Sequence, residues 1–239
     1  MTLYKIAVIG GTGPQGKGLA YRFAKAGHTV VIGSRSAGRA QETADGIADR
    51  IGVAGLVGGA DNAAAAEAAD IVLLAVPYRG HAELVASLAA RLAGKVLISC
   101  VNPLGFDERG PYGLDPADGS AAEEALRLAP GARLAGAFHH VSAASLWGRS
   151  PVLDHEDVLV CGDDEQAKDV ACELARAVTG RPGIDAGPLR LARHLEPLTA
   201  TLISVNRRYK VRSGLRITGL EQTTGADQDD GSVSGLIHG

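Results

Sequence analysis

Apolar residues occur in short uninterrupted runs, separated by alanine-rich stretches in which they recur at helical spacing. Runs that stay apolar throughout are typical of strands covered by helices on both faces of a parallel sheet. The strands are predicted at 5–10, 29–34, 54–58, 70–76, 95–101, 133–138 and 157–162. The helices between them are predicted at 14–26, 37–50, 79–92 and 164–178. This alternation predicts an α/β fold with a doubly wound parallel sheet.

Two stretches break the alternation. Residues 102–119 hold three prolines and four glycines without periodicity, which is typical of a functional lid or a disordered segment. The residues after Leu220 are polar and glycine-rich, and we expect a poorly ordered tail unless it folds over a partner subunit. Between these stretches, 188–210 is predicted to form one or two helices. The predicted units are an α/β domain at 1–187, a small C-terminal helical domain at 188–221 and a disordered tail at 222–239.

Composition narrows the class of protein. The chain of 239 residues is 46% hydrophobic and 21% charged, which is ordinary for a soluble globular protein. Its net charge of −3 gives no reason to expect a nucleic acid or an anionic membrane as a partner. No cleavable signal is visible, and no apolar run approaches the roughly 20 residues that cross a bilayer. We therefore expect a cytoplasmic protein.

The three cysteines do not indicate a metal site. Cys100, Cys161 and Cys172 are not at metal-ligand spacing. Cys100 and Cys161 each end an apolar run, which favours buried, reduced thiols. No metal ligand is predicted.

A glycine motif follows the first predicted strand and opens the first predicted helix. Gly11, Gly13 and Gly16 form G-x-G-x-x-G, and this strand–turn–helix context is the one that dinucleotide binding requires. The first glycine permits the tight turn, the second admits a pyrophosphate and the third lets the helix pack on the strand. The helix N-terminus, with Pro14 in its first turn, offers N–H groups to the phosphates. The motif predicts a Rossmann-type nucleotide-binding domain, in which the Thr12 hydroxyl adds a further donor.

The end of the second strand distinguishes between the two nicotinamide cofactors. An NAD site normally carries an acidic residue about 20 residues after the glycines, where it binds the ribose 2′-hydroxyl. Here the sequence is Gly-Ser-Arg, and no acidic residue occurs before Glu42. Ser34 can donate to a 2′-phosphate, and Arg35 and Arg39 lie one helical turn apart. The alternative is a pair of solvated surface arginines. We favour NADP(H) as the cofactor.

Further candidate contacts follow the fourth, fifth and sixth strands. Val76 and Pro77 are placed to form an apolar wall beside the ribose or nicotinamide, although Pro77 alternatively only starts a helix. Asn102 ends the next strand and faces the same crevice. His139 is favoured over His140 as a ligand contact, the alternative being a structural histidine. No acid–base constellation occurs, so no catalytic residue is predicted.

Seven segments together carry a family resemblance. They are GGTGPQGKGLA, IGSRSAGRA, VPYRGH, AFHHVSAASL, VLVCGDDEQAK, IDAGPL and RRYKVRSGLRITGL, in order from Ile6 to Leu220. The combination resembles the NADPH:coenzyme F420 oxidoreductase family. The resemblance implies a Rossmann domain with a small C-terminal helical domain, a homodimer, and direct hydride exchange between NADP(H) and a 5-deazaflavin. Such chemistry lies between C4 of the nicotinamide and C5 of the deazaflavin, so the protein mainly stacks the two rings and excludes water.

The resemblance also implies residue roles. Thr12, Ser34, Arg35 and Arg39 correspond to NADP phosphate contacts, and Val76 and Pro77 lie near the nicotinamide. His139 and Val141 fall on the deazaflavin side. The predicted cofactor contacts are Gly11, Thr12, Gly13, Pro14, Gln15, Gly16, Ser34, Arg35, Arg39, Val76, Pro77, Asn102, His139 and Val141.

Two other functions remain open. One is an NADPH-dependent reductase that acts on an imine, a ketone or a metal complex. The other is a non-enzymatic dimer that senses NADP(H).

A basic segment lies near the C-terminus. Arg207, Arg208, Lys210 and Arg212 lie close together without matching acidic residues. They form either a solvated face or dimer contact, or a site for the phosphate and glutamate tail of the deazaflavin cofactor.

Overall fold

The computed structural model describes residues 2–220. An eight-stranded sheet in the order β10-β9-β8-β5-β4-β1-β2-β3 forms its centre. The sheet strands are β1 (Lys5–Ile9), β2 (Thr29–Ser34), β3 (Val57–Asp61), β4 (Ile71–Leu74), β5 (Val96–Ser99), β8 (Arg133–Ala137), β9 (Leu159–Gly162) and β10 (Ile184–Gly187). A separate antiparallel pair is formed by β6 (Leu104–Asp107) and β7 (Gly110–Gly113).

Helices cover both faces of the sheet. They are α1 (Pro14–Lys25), α2 (Ala37–Ile51), α3 (Asn62–Ala68), α4 (His81–Leu92), α5 (Ala121–Leu128), α6 (Ala143–Leu146), α7 (Glu165–Thr179) and α8 (Ala192–Tyr209). No helix within 2–220 combines the length and the apolar character that a membrane span needs.

Alternation along each strand creates two hydrophobic cores. In β1, Ile6 and Val8 belong to the core under α1, α2 and α7. Ala7 and Ile9 belong to the core under α3, α4 and α5. Because both faces of β1 are buried, Ile6, Ala7, Val8 and Ile9 are apolar in succession. The predicted doubly wound α/β fold is confirmed.

The sheet is mostly parallel, and its strand order reverses between β1 and β4. β1 pairs in parallel with both β2 and β4. From β1 the chain continues to β2 on one side, whereas from β4 it continues to β5 on the other side. A crevice opens at the carboxyl ends of the strands at such a reversal. The sheet departs from the parallel arrangement at one edge, where β9 runs antiparallel to β8. The strand predicted at 54–58 lies at Val57–Asp61, and β10 was not predicted.

Residues 102–119 contain a β-hairpin, so the prediction of a disordered segment was wrong for the hairpin strands, while a role as a lid stays a prediction. Leu104 pairs with Gly113, and the turn is closed by Asp107, whose Oδ1 accepts from the Arg109 and Gly110 N–H groups at 2.8 and 3.1 Å. Gly110 has a φ of 118°. Glycine and proline have low strand propensity, so the sequence pattern does not predict this hairpin. The positive φ at Gly110 nevertheless requires glycine.

The long C-terminal helix α8 docks onto α5 through a buried carboxyl group. Glu196 is 1% exposed, and its Oε2 and Oε1 accept hydrogen bonds from the Ala121 and Ala122 N–H groups at 2.8 and 3.0 Å. These N–H groups lie in the first turn of α5, where no intrahelical acceptor exists. Glu196 thus caps one helix from another. The predicted helix at 188–210 is observed, and the division at 187 stays a prediction. The tail predicted at 222–239 lies outside the described residues.

We expect Glu196 to make the stability of the protein depend on pH. Burial raises the pKa of Glu196 to about 7, above its ordinary value of 4.5. Between these values the folded protein binds the proton and the unfolded chain does not, so the free energy of unfolding falls as pH rises. The expected loss is of the order of 2–3 kcal/mol. Urea unfolding at pH 5 and pH 8 measures it.

The matched variant for this measurement is Glu196→Gln, which keeps an acceptor oxygen but does not titrate. Its free energy of unfolding is expected to change less over the same pH interval. Equal pH dependence in the variant and the wild type would contradict the assignment.

Candidate functional site

The glycine turn between β1 and α1 brings backbone against backbone. A Cβ at Gly16 would lie 2.6 Å from the Gly10 carbonyl oxygen, and one at Gly11 would lie 2.8 Å from the Val8 carbonyl oxygen. Gly10, with a φ of 79°, adopts the left-handed conformation, and a Cβ there would lie 2.5 Å from the Ala75 carbonyl oxygen. The motif indicated Gly11 for the tight turn, whereas the left-handed residue is the one before it. The close approach leaves the N-terminus of α1 facing the crevice, with Pro14 as its first residue.

A cavity of about 360 Å³, which we call cavity A, lies over this turn. Gly13 and Thr12 line one end, and Ser34, Arg35 and Arg39 line the other. The side chain of Ser36 caps α2 by accepting from the Arg39 N–H group at 3.4 Å. This cap starts α2 so that both predicted arginines reach the same cavity.

Cavity A contains a third cation that the motifs did not indicate. Arg79 lines it from the loop between β4 and α4, with Asn62 from the start of α3 nearby. Arg35, Arg39 and Arg79 are exposed, and none makes an ion pair with another of residues 2–220. Three uncompensated guanidinium groups favour an anionic ligand at this end.

A second cavity of about 420 Å³, which we call cavity B, adjoins the first. Gly13, Ala75, Val76 and Pro77 line both cavities. Val76 and Pro77 follow β4 directly, at the strand reversal, and their role beside the ribose or nicotinamide stays a prediction. The two cavities thus meet at the carboxyl end of β4.

Cavity B is closed by residues from three further parts of the chain. Pro14 and Gln15 come from α1, Val141 from the loop after β8, and Asn102 from the end of β5. The sequence did not indicate the contribution of α8, which supplies Thr199, Leu202, Ile203 and Asn206. Leu202 and Ile203 are only partly buried although apolar, and the helical spacing of 188–210 was the available signal.

The loop after β8 is strained and held from two sides. Phe138 has a φ of 63°, which is unusual for a bulky residue, and its ring packs edge-on against Phe23 at a centroid distance of 5.9 Å. Gln15 donates from Nε2 to the Phe138 carbonyl oxygen at 3.3 Å. Strained backbone of this kind needs support from its surroundings. Gln15 thus orders the loop from the cavity side.

A buried arginine holds the next part of this loop. Arg22 of α1 is fully buried and donates to the carbonyl oxygens of Leu146, Ser145, Ser150 and Pro151 at 2.7–2.9 Å. The guanidinium group therefore donates to four backbone acceptors at once. This network fixes α6, whose first residue Ala143 lines cavity B.

His139 contributes its backbone to the site, while its ring is buried. Both ring nitrogens are inaccessible and without a partner among residues 2–220, and a Cβ at Gly136 would lie 3.0 Å from Nε2. Burial lowers the pKa of His139 to about 3, so the ring is neutral. The sequence predicted a ligand contact by the His139 side chain, whereas the structure places its ring in the core. The ring of His140 is also buried, with Nε2 2.7 Å from the Asp157 carbonyl oxygen.

Asn102 connects β5, the loop after β8 and α8. Its Nδ2 donates to the His139 carbonyl oxygen at 2.8 Å and to Thr199 Oγ1 at 3.0 Å. Thr199 donates to the same carbonyl at 2.8 Å. The Oδ1 atom of Asn102 is buried without a partner among residues 2–220. This side chain lines cavity B, and the two hydrogen bonds that it donates order the cavity wall.

Cavity B contains no ionised side chain. Its titratable residues are Cys100, His139 and His140, and it is lined by no Asp, Glu, Lys or Arg. Burial raises the pKa of the Cys100 thiol to about 12 and lowers the pKa values of both histidines. No cluster of metal-ligating side chains occurs among the described residues. The side chains that line cavity B are therefore neutral.

Known proteins are similar to this chain in sequence. Residues 5–103 match the family model described as NADP oxidoreductase coenzyme F420-dependent. The chain is 43% identical over 225 residues to the F420-dependent NADP reductase of Methanothermobacter thermautotrophicus, covering 91% of this chain and 96% of that one. It is 38% identical over 223 residues to that of Methanocaldococcus jannaschii, covering 91% and 99%.

A solved structure agrees over almost the whole fold. The crystal structure of a candidate F420-dependent NADP-reductase from Arthrobacter sp. FB24 superposes with a TM-score of 0.74 at 26% identity, covering 90% of this chain and 100% of that one. Since the curated relatives are also matched almost from end to end, the resemblance seen in the sequence is confirmed. The chain belongs to the family of F420-dependent NADP reductases.

Proposed function

We propose that the protein transfers a hydride between NADP(H) and the deazaflavin coenzyme F420. The observation that carries this proposal is that an uncharged cavity B adjoins the cation-lined cavity A across Ala75–Pro77. The names of its relatives support the same reaction. A hydride moves with both electrons, so transfer from C4 of NADPH to C5 of the deazaflavin needs one further proton, which solvent supplies.

The residues of cavity A fit NADP(H). A Cβ at Gly16 would collide with the Gly10 carbonyl oxygen, so glycine is what lets α1 pack against the turn. This packing places the N-terminus of α1 where it can bind a pyrophosphate. Ser34, Arg35, Arg39 and Arg79 are the residues that would bind the ribose 2′-phosphate. This assignment selects NADP(H) over NAD(H) by charge.

The residues of cavity B fit two stacked planar rings. Val76 and Pro77 supply an apolar wall on one side, and Leu202 and Ile203 supply one on the other. Asn102 orders the cavity wall by donating to the His139 carbonyl oxygen and to Thr199 Oγ1. The chain orients the rings and excludes water, which is the protein's part when both substrates carry their own reactive atoms.

We also propose that the protein is a cytoplasmic homodimer whose partners are small molecules rather than nucleic acid. The three cysteines are unpaired, which suits a reducing compartment. The hairpin next to α8 exposes 61% of Phe106, 46% of Tyr112 and 38% of Leu114. Exposed apolar side chains on both faces of the hairpin favour an interaction there, and a second copy of this chain is the proposed occupant.

The first experiment tests the hydride transfer directly. Mixing the protein with NADPH and coenzyme F420 is expected to bleach the deazaflavin absorbance rapidly, and excess NADP+ is expected to restore it. Stopped-flow absorbance measures both phases, with NADH as the control donor. Tight NADPH binding without bleaching would overturn the proposal, as would oxidation of NADPH by an imine or ketone when no deazaflavin bleaching occurs.

Arg35→Ala tests the 2′-phosphate assignment. A hydrogen bond to a charged group is worth about 1.5–3 kcal/mol, so the Kd for NADPH is expected to rise about tenfold or more. The Kd for NADH, which lacks this phosphate, is expected to stay within about twofold. Titration of both nucleotides measures the difference, with the exposed Arg190→Ala as a matched control. Full NADPH affinity in the Arg35 variant would contradict the assignment.

Sedimentation equilibrium tests the dimer. The expected mass is about twice the 24.5 kDa of the chain. Phe106→Ser is expected to shift the protein toward the monomer, whereas Val53→Ser, at another exposed apolar residue, is not. A monomeric wild type would refute the proposed homodimer.

A further inference from the structure

A turn at the end of α8 carries four cations, and we call residues 207–212 the basic turn. Arg207, Arg208, Lys210 and Arg212 are all exposed. No acidic residue occurs anywhere from 197 to 220, although the whole chain carries a net charge of −3. The positive charge is therefore concentrated at one place on an otherwise slightly acidic protein.

The basic turn is fixed at the mouth of cavity B. Lys210 ends α8 in the left-handed conformation, with a φ of 54°, and reverses the chain. The Ser213 N–H group then donates to Oδ1 of Asn206 at 2.6 Å. Asn206 and Ser213 both line cavity B, so the hydrogen bond that closes the turn also forms part of the cavity wall.

The segment after the turn is tied to the domain below it. The Asp157 N–H group donates to the Leu215 carbonyl oxygen at 2.7 Å, and the Ile217 N–H group donates to Oδ2 of Asp157 at 2.9 Å. These bonds hold the segment after the basic turn to the fold, and α8 holds the segment before it. The four side chains are therefore presented from an ordered backbone.

The charges of the basic turn are not neutralised within the described chain. None of its four cations makes an ion pair with another of residues 2–220. The acidic Asp157, which lies beneath the following segment, already pairs with Arg181 at 2.8 Å. Four neighbouring cations without counter-charges repel one another, and an anionic ligand would relieve this repulsion.

We propose that the basic turn binds the anionic tail of the deazaflavin substrate. This inference rests on the proposed function, because coenzyme F420 carries a phosphate and a glutamate tail beyond its ring. Cavity B offers no cation to these groups, and cavity A uses its own three arginines for the nucleotide. A ring in cavity B whose tail leaves beside the Asn206–Ser213 hydrogen bond meets the basic turn next. The tail is thus recognised by charge, separately from the ring.

The test compares two hydride acceptors in the full chain. One is coenzyme F420, and the other is the tail-less deazaflavin riboside, which has the same ring but neither phosphate nor glutamate. In the double variant Arg207→Gln/Arg208→Gln, the KM for coenzyme F420 is expected to rise about threefold to tenfold, as for loss of exposed charge pairs. The KM for the riboside is expected to stay unchanged. Salt near 0.5 M, where the Debye length is only a few ångströms, is expected to remove the difference.

The control variant removes the same number of charges elsewhere. Arg149→Gln/Arg190→Gln changes two exposed arginines that line neither cavity A nor cavity B, and it is expected to leave both KM values unchanged. An unchanged Kd for NADPH shows that each variant is folded.

Each remaining outcome has a definite meaning. Equal losses on both acceptors, no loss on either, or an equal effect of the control variant would overturn the tail site. A wild type that transfers hydride to the riboside but shows no preference for the tailed substrate would also overturn it, and the proposed function would stand. A wild type inert toward both acceptors would overturn the proposed function itself.

Discussion

The contact between the glycine turn and the neighbouring strand ends decides the geometry of the whole site. The backbone at Gly10 lies close both to α1 and to the residues after β4. A side chain at Gly10 would collide with the Ala75 carbonyl oxygen, and a side chain at Gly16 would collide with the Gly10 carbonyl oxygen. Because α1 can approach this closely, its N-terminus lies at the strand reversal rather than beyond it. The same contact places Ala75–Pro77 between two cavities. Cofactor binding and ring placement thus depend on one packing constraint.

The interior of the site is notable for the charges that it lacks. In a region of low dielectric constant, an ionised side chain would bias the charge of each ring and would hold water. Burial keeps Cys100, His139 and His140 neutral, while hydrogen bonds from Asn102 and Thr199 order the backbone around them. A hydride donor and acceptor need alignment and dryness more than proton transfer. The missing acid–base residues are therefore consistent with the proposed reaction.

Sequence reasoning predicted the parts of the fold that depend on local patterns. The strand–turn–helix around Gly11–Gly16 and the alternation of apolar runs with helices suffice for the doubly wound core, because both signals are contained in short segments. The hairpin at Leu104–Gly113 was missed because its stability comes from pairing and from packing on Pro197 rather than from propensity. The antiparallel β9 was missed because strand direction depends on a long connection.

In the candidate site, too, the residues that the sequence predicted are those that lie in one short segment. Ser34, Arg35 and Arg39 lie in one stretch of sequence and also in one cavity. By contrast, Arg79 and the α8 residues reach the cavities only through the tertiary fold. The orientation of His139 could not be predicted either, because it depends on the left-handed conformation of Phe138 one residue earlier. A positive φ at a phenylalanine has no sequence signal and is maintained by Gln15 and by the ring of Phe23.

The distribution of charge favours the same mode of binding for the two proposed substrates. Cations lie at the outer end of cavity A and at the mouth of cavity B, and the space where the cavities meet is neutral. Exposed cations attract anionic groups without the large desolvation cost that buried ones would pay. Each substrate is then held by its charged end at the surface while its uncharged ring lies inside. Binding strength and the electrostatics of hydride transfer are thereby set by different residues, so either can change without disturbing the other.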